Sequence, residues 1–163
     1  MSKAAKVASR FNITVPAGKA SPQPPVGSAL GQRGLKLMDF CKAFNDQTSK
    51  FIDGTPMPVR VISYADRTFT FHVFNPPTSY FLKKAAGLKK GANRPGHEKV
   101  GRVTVKHIYE IAKLKMEDVE KKGASMSLHA LAKSIAGSAR SMGIEVVNPS
   151  AGSVPASASE EKN

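Results

Sequence analysis

The chain has 163 residues and a mass of 17.4 kDa, which is enough for one large domain or two small ones. Lysine and arginine total 25 against 12 aspartates and glutamates, and the formal net charge of +13 favours a polyanionic partner, either a nucleic acid or an anionic membrane surface. No apolar run approaches the roughly 20 residues of a membrane span, which excludes an integral membrane protein. The single cysteine, Cys41, excludes an internal disulfide framework and a cysteine-based zinc site. The composition therefore predicts a soluble, intracellular protein that binds nucleic acid.

Both ends of the chain lack a folding pattern. Residues 1–9 are predicted to form a disordered basic arm, and no acidic residue precedes Asp39. Such an arm suits an organellar targeting segment and equally a basic extension on RNA, so both interpretations stay open. Residues 148–163 are rich in Ser, Ala and Glu without apolar periodicity, and they predict a disordered tail.

Residues 10–86 predict an N-terminal α/β domain. Alternating apolar residues from Phe11 to Val15 predict a strand, and the four prolines of the following segment, Pro16–Pro25, predict a stiff extended loop. The remaining predicted elements are a helical turn at Val26–Leu30, a helix at Leu37–Asn45 with Phe40, Cys41 and Phe44 on one face, a hairpin of Val59–Val61 with Phe69–Val73, and a helix at Thr78–Ala86.

A second domain is predicted at residues 100–147, after a basic linker at residues 87–99. A helix capped by Thr104 has its apolar face at Val105, Ile108, Tyr109 and Ala112. A later helix is capped by Ser127 and stopped by Gly143, before a short apolar strand at Ile144–Val147.

The segment Met116–Gly123 is short and charged, and its pattern favours no element. The predicted fold class is α+β, with an N-terminal α/β domain that contains a small antiparallel sheet and a C-terminal domain of three helices.

No pattern of catalytic residues is present. The glycine-rich stretch from Gly27 to Gly34 lacks the Lys-Ser/Thr pair of a phosphate-binding loop, and the four histidines have no metal-binding spacing. Cys41 lies on an apolar helix face, which indicates a packing role. The sequence therefore predicts no enzyme, no cofactor and no metal site.

Two segments allow a binding role beside a structural one. The proline segment is either an ordinary stiff loop or a rigid recognition surface. The last helix has small residues over nearly two turns, from Ala136 to Ser141. These suit tight helix packing, and they equally suit close approach to the minor groove of RNA, with the hydroxyls of Ser138 and Ser141 on 2′-hydroxyl groups and Arg140 on a phosphate.

Several segments together resemble the large-subunit ribosomal proteins of the L-eleven family. They are VPAGKASPQPPVGSALGQ at 15–32, MDFCKAFN at 38–45, DRTFTF at 66–71, PP at 76–77, LKKAAG at 82–87 and GSARSMG at 137–143. The resemblance extends from Phe11 to Val147. It implies a homeodomain-like C-terminal domain that binds large-subunit rRNA, and an N-terminal domain beside the stalk, where translational GTPases act at the GTPase-associated centre.

The resemblance also implies site residues. RNA-binding positions are Gly137, Ser138, Arg140, Ser141 and Gly143 on the last helix, with Lys89, Lys90, Lys99 and Gly101 in the basic loop. Pro22, Pro24 and Pro25 correspond to the loop that faces translation factors and thiopeptide antibiotics. The implied partners are large-subunit rRNA, the stalk proteins and, transiently, translational GTPases, with no membrane.

Departures from the family pattern bear on the source of the chain. Ser28 replaces a frequent proline, Ser138 replaces the usual threonine, and the segments 92–97 and 117–127 differ from the common bacterial form. The tail after Asn148 is an addition to the family pattern. These departures, together with the segment HIYEIAKLK at 107–115, are similar to the mitochondrial branch, especially the fungal one, and predict a mitochondrial ribosome in the matrix. The alternative is a bacterial cytoplasm.

A free-standing helix-turn-helix protein is the alternative function, since three helices and a charge of +13 also suit a DNA binder. A helix that reads the major groove needs Arg, Asn or Gln at successive exposed positions, whereas the last helix offers mainly Gly, Ala and Ser. This difference favours the ribosomal interpretation.

Overall fold

The computed structural model describes residues 7–148 and divides them into two compact units. The first unit comprises residues 7–81 and 114–125, and the second comprises residues 82–113 and 126–148. The predicted arm at residues 1–6 and the predicted tail beyond Asn148 lie outside the described residues.

The elements agree largely with the sequence pattern. In chain order they are β1 (Val7–Pro16), α1 (Val26–Gly31), α2 (Leu37–Thr48), β2 (Pro56–Tyr64), β3 (Phe69–Val73), α3 (Thr78–Ala85), β4 (Gly101–Thr104), α4 (Val105–Lys121), α5 (Leu128–Ser141) and β5 (Ile144–Val147). The α+β fold class is as predicted.

The first unit is built on an antiparallel sheet with the strand order β1-β2-β3. Every second residue of each strand faces α1 and α2, so Ile13, Val59 and Val73 lie side by side on the inner face. Phe40 of α2 is fully buried, with its ring centroid 5.9 Å from that of Phe44 and 5.2 Å from that of Phe71. The phenylalanines thus supply the volume that a chain without tryptophan needs in this core.

Strand β1 begins at Val7, so the prediction of disorder for residues 7–9 is wrong. The pairing continues to Val7↔Tyr64, and the hydroxyls of Ser9 and Ser63 lie 3.0 Å apart. Sequence periodicity did not indicate this extension because Ser9 replaces an apolar residue on the inner face.

The second unit contains a parallel pair of strands that was not predicted. Strand β4 pairs with β5 from Gly101↔Ile144 to Thr104↔Val147, and the interior includes Val103, Ile135 and Ile144. The uncertain segment after Met116 continues α4 to Lys121, so residues 100–147 hold two helices and this strand pair.

The predicted apolar face of α4 is partly wrong. Ile108 and Ala112 are buried as expected, but Val105 and Tyr109 are 43% and 46% exposed. Ile111 is buried instead. Apolar side chains occupy adjacent stripes of this helix, so spacing alone does not show which stripe faces the interior.

Asp118 of α4 is a buried carboxylate within the first unit. It accepts the backbone N–H of Asn75 at 2.9 Å and lies 2.5 Å from the Lys115 ammonium group. Lys115 also donates to the carbonyl oxygens of Asn75 and Pro76. Lys115 and Asp118 therefore link the chain after β3 to the C-terminal half of α4 by hydrogen bonds.

Replacing Asp118 with alanine should lower the free energy of unfolding by about 3 kcal/mol, because it leaves the partly buried Lys115 ammonium group without its counter-ion and the Asn75 N–H without its acceptor. The exposed residue Glu120 gives a matched control, and Glu120→Ala should change stability by less than about 0.5 kcal/mol. Urea denaturation of both variants measures the difference. Equal midpoints for the two variants would contradict a stabilising role for Asp118.

Candidate nucleic-acid interface

Helix α5 presents one buried and one exposed face. The Ser127 hydroxyl accepts the Ala130 N–H at 3.2 Å and begins the helix as predicted, while Ile135 and Ala139 are buried. On the other face the spacing of i, i+4 and i+7 aligns Lys133, Gly137 and Arg140, all of them exposed. The row Lys133, Gly137 and Arg140 therefore forms a cationic stripe, and Gly137 leaves the centre of this stripe without a side chain.

This stripe borders a cleft of about 770 Å³ within the second unit. The cleft is formed by α5, by the loop before β4 and by β5. Its lining residues are Gly96, Glu98, Lys99, Lys133, Ala136, Gly137, Arg140, Gly143, Ile144, Glu145 and Val146.

The structure brings some of the predicted RNA-binding residues together and leaves others apart. Lining the cleft are Lys99, Gly137, Arg140 and Gly143. The other predicted positions do not line it: Lys89, Lys90, Gly101, Ser138 and Ser141.

The serine hydroxyls of α5 are oriented by the helix itself. Ser138 Oγ donates to the Ser134 carbonyl at 3.1 Å, and Ser141 Oγ donates to the Ser138 carbonyl at 2.8 Å. Each proton is therefore used inside the helix, and each oxygen keeps its acceptor capacity.

The three glycines predicted to bind RNA differ in their surroundings. A Cβ on Gly137 would meet no atom within 4 Å, so this position is open. Gly143 is buried at φ +74°, and a Cβ there would lie 2.5 Å from the Ala92 Cβ and 2.7 Å from the Glu98 carbonyl. A Cβ on Gly101 would come within 2.9 Å of Leu88. Gly143 and Gly101 thus serve packing inside the unit, and Gly137 alone faces open space.

Glu145 of β5 is a charged residue of the cleft that the sequence did not indicate. Its carboxylate lies 2.6 Å from Lys99 Nζ and 3.2 Å from Arg102 Nε. The hydrogen bond and charge of Lys99, followed by those of Arg102, lower the pKa of this carboxyl below its ordinary value. Arg102 and Glu145 are neighbours because β4 and β5 pair in this register. The local sequence does not predict a parallel pair of four-residue strands.

The proline segment is held by α2 and α1 within the first unit. The Asn45 side chain accepts the Ala20 N–H at 3.0 Å, and Thr48 Oγ1 accepts the Gly18 N–H at 3.2 Å. A Cβ on Gly27 of α1 would overlap the Pro22 carbonyl oxygen. The side chains of the three predicted positions, Pro22, Pro24 and Pro25, are nonetheless exposed.

Ser28, at the start of α1, also forms a hydrogen bond with the proline segment. Its hydroxyl donates to the Pro25 carbonyl at 3.1 Å. The serine thus adds a link between the start of α1 and the proline segment.

The described residues contain neither a candidate group of metal ligands nor a helix that could span a membrane. Across residues 7–148, no three His, Cys, Asp or Glu side chains form a group that could hold a metal ion. No helix in the same range is long and apolar enough to cross a bilayer. Cys41 is buried, and burial raises the pKa of its thiol, in line with a packing role.

Comparison with protein families covers most of the chain. Residues 11–69 match the model described as "Ribosomal protein L11, N-terminal domain", and residues 74–146 match "Ribosomal protein L11, RNA binding domain". The chain belongs to the ribosomal protein L11 family. The cleft beside α5 lies within the segment that matches the RNA-binding domain.

Two curated relatives of the L11 family have closely similar sequences. The large ribosomal subunit protein uL11 of Bradyrhizobium sp. strain BTAi1 is 51% identical over 143 residues, which cover 88% of this chain and 98% of the relative. The uL11 protein of Bradyrhizobium sp. strain ORS 278 is 50% identical with the same coverage.

The L11 assignment confirms the predicted ribosomal, structural role with an RNA-binding domain. The relatives are named as ribosomal proteins and not as enzymes, in agreement with the prediction that the chain catalyses no reaction. The helix-turn-helix alternative is not favoured. Both relatives are bacterial, so they give the mitochondrial branch no support.

Replacing Gly137 with leucine should weaken RNA binding without destabilising the fold. Its open position admits the side chain, and removal of a helix-interior glycine should raise the free energy of unfolding by about 0.5–1 kcal/mol. RNA affinity, measured by filter binding, should fall about tenfold or more, a loss of roughly 1.4 kcal/mol, because the side chain fills the gap in the cationic stripe.

Gly143→Ala is the comparison variant. It should lower stability by more than about 1 kcal/mol, since alanine at this positive φ is strained and its Cβ meets Ala92. Unchanged RNA affinity in a folded Gly137→Leu protein would show that the open face of α5 does not touch RNA.

Proposed function

We propose that this ribosomal protein binds large-subunit rRNA through the cleft of its second unit. The observation that carries the proposal is the exposed, unobstructed Gly137 between Lys133 and Arg140. A backbone without side chains can approach the shallow minor groove of an RNA helix closely, while flanking cations contact phosphates. Lys99 supplies a further cation from the facing loop.

The other predicted RNA contacts extend this surface. Lys89 and Lys90 are exposed in the basic loop, where they suit phosphate contacts outside the cleft. Ser138 and Ser141 offer hydroxyl oxygens as acceptors. For Gly101 and Gly143 we propose an indirect role, in which close packing holds the loop and β5 beside α5.

Glu145 is proposed to moderate this binding, because it neutralises two cations that the RNA would otherwise attract. Glu145→Gln should release Lys99 and Arg102, raise RNA affinity several-fold at low salt and steepen its salt dependence by up to about one per freed cation. Glu110→Gln, an exposed residue of α4 with the same charge change, serves as the control.

The pH dependence gives this hypothesis a second measurement. The neighbouring cations keep Glu145 ionised below the ordinary glutamate pKa of about 4.3, so the variant and wild type should differ throughout neutral pH and converge only in acid. Titrations at two pH values check this. An equal gain in affinity for the Glu110 and Glu145 variants would reduce the effect to net charge alone.

We also propose that the proline segment faces translation factors at the GTPase-associated centre beside the stalk. Support comes from the resemblance to L11 proteins and from the geometry of the segment, whose prolines are exposed while its backbone is bonded to α2. A loop held in this way loses little conformational entropy when a factor or a thiopeptide docks on it.

Pro22→Gly/Pro25→Gly should loosen this loop at a cost to the fold of under about 1 kcal/mol per site. RNA affinity should stay unchanged, since the cleft lies in the second unit. Subunits lacking the protein are reconstituted with wild type or variant at equal occupancy, and factor-dependent GTP hydrolysis is measured with and without thiopeptide. Turnover and inhibition identical to wild type would reduce the segment to a connector.

The cellular compartment is either the mitochondrion or a bacterial cytoplasm, according to the source of the ribosome. The departures at residues 92–97 and 117–127 support the mitochondrial hypothesis, whereas the two bacterial relatives favour the alternative, a bacterial cytoplasm. Stalk proteins are proposed as neighbours because of the family resemblance.

A further inference from the structure

We propose that the outward face of the β1-β2-β3 sheet is a second RNA-contact surface, which binds a phosphate backbone. The proposal rests on the ribosomal role of the chain but not on the cleft of the second unit. All of the residues that carry it lie in the first unit.

Strand register defines this outward face. The inner face holds the apolar core, so the alternate residues point away from α1 and α2. One row across the sheet is Asn12↔Arg60↔His72, and the next is Arg10↔Ile62↔Thr70. Contact between the hydroxyls of Tyr64 and Thr70, at 3.2 Å, places both on this side.

The face is open along β1 and β3. Five of its residues there are exposed: Arg10, Asn12, Thr14, Thr70 and His72. A sheet face covered by another element of the chain would bury such a row, so the surface is available to a partner.

Its charge has one sign. None of the three strands contains an aspartate or glutamate. Lys122, the residue after α4, adds a cation beside the sheet at Phe74. Among residues 7–148, no ion pair joins Arg10, Arg60 or Lys122 to a carboxylate. Asp66, at the turn between β2 and β3, accepts hydrogen bonds from Thr68.

Two of the cations are held in place by an aromatic ring. Phe74 is 7% exposed, with the Arg60 guanidinium carbon 5.6 Å and the Lys122 Nζ 5.3 Å from its ring centroid. Arg60 Nε also donates to Asn12 Oδ1 at 3.4 Å. One ring thus brings two cations to the same part of the surface, where both can attract a phosphate.

The chemistry of the face favours RNA over a protein partner. Stable protein interfaces have an apolar centre, whereas this surface offers hydroxyl, amide and guanidinium groups around the half-buried Ile62. Such donors on a flat cationic surface match the contacts that proteins make with phosphate and ribose oxygens.

The test removes two cations from this face and compares the effect with a matched pair on α2. Arg10→Gln/Lys122→Gln changes two exposed residues and leaves Arg60 on Phe74. Lys36→Gln/Lys42→Gln removes the same charge at α2, on the opposite side of the sheet, where Lys36 has only an exposed 4.0 Å contact with Asp39. Urea denaturation verifies that both full-length proteins are folded.

Binding to full-length large-subunit rRNA is measured over a range of salt concentrations. For the sheet pair, the slope of log affinity against log salt should decrease by about 1.5, because each lost phosphate contact contributes about 0.7–0.9. Affinity at low salt should fall severalfold more for this pair than for the α2 pair.

Four outcomes would overturn the proposal, and the last of them separates it from the cleft hypothesis. Equal effects of the two pairs, or no effect of either, would overturn it. An unchanged RNA slope with reduced incorporation into subunits would identify a protein partner and also overturn it. Arg140→Gln is measured in parallel: if it lowers affinity while the sheet pair does not, the cleft hypothesis stands and the sheet proposal fails.

Discussion

The second unit depends on a turn that has no room for a side chain. At Gly143 the chain leaves α5 with a positive φ and enters β5, and the neighbouring loop closes against the glycine. Backbone hydrogen bonds fix the loop on both sides, from Ala92 N–H to the Met142 carbonyl and from Val100 N–H to the Gly143 carbonyl. The cleft exists because this contact holds the loop, β5 and α5 together. Gly143, which resemblance assigns to RNA contact, is therefore required by the packing of the unit.

Several carboxylates of this basic chain are engaged internally. Asp118 is buried against Lys115, and Glu145 is paired with Lys99 and Arg102. The Thr68 hydroxyl, 2.6 Å from Asp66, keeps the pKa of that carboxyl below its ordinary value. None of these carboxylates pairs with Lys133 or Arg140 of α5, or with Arg10 or Arg60 of the sheet. The sheet face and the α5 stripe thus keep a positive field toward a polyanion.

Sequence periodicity predicted the elements whose apolar residues occupy a single face. Apolar and polar residues alternate along β1–β3, and the apolar residues of α2 recur at helical spacing. Phe40 and Phe44 lie in the core as expected. It failed for α4, where Val105 and Tyr109 fit the helical spacing but face solvent. It also missed β4, since four residues after a glycine-rich loop show too little alternation to indicate a strand.

The nucleic-acid interface, like the fold, could be predicted only in part from the sequence. Small residues on α5 pointed to Gly137, and the same helical spacing would have added Lys133. Glu145 depended on the register between two distant strands, which local sequence does not encode. The spacing of the small residues was compatible with helix packing and with RNA contact. Only the family resemblance predicted the ribosomal function.

The serine hydroxyls of α5 have a consequence for the choice between two nucleic acids. Ser138 and Ser141 donate their protons to helix carbonyls, so each oxygen can only accept from a ligand. A phosphate offers no proton and a deoxyribose has no hydroxyl at the 2′ position, whereas a ribose can donate one. We therefore expect the two oxygens to distinguish the ribose backbone of RNA from the deoxyribose backbone of DNA, which lacks this donor.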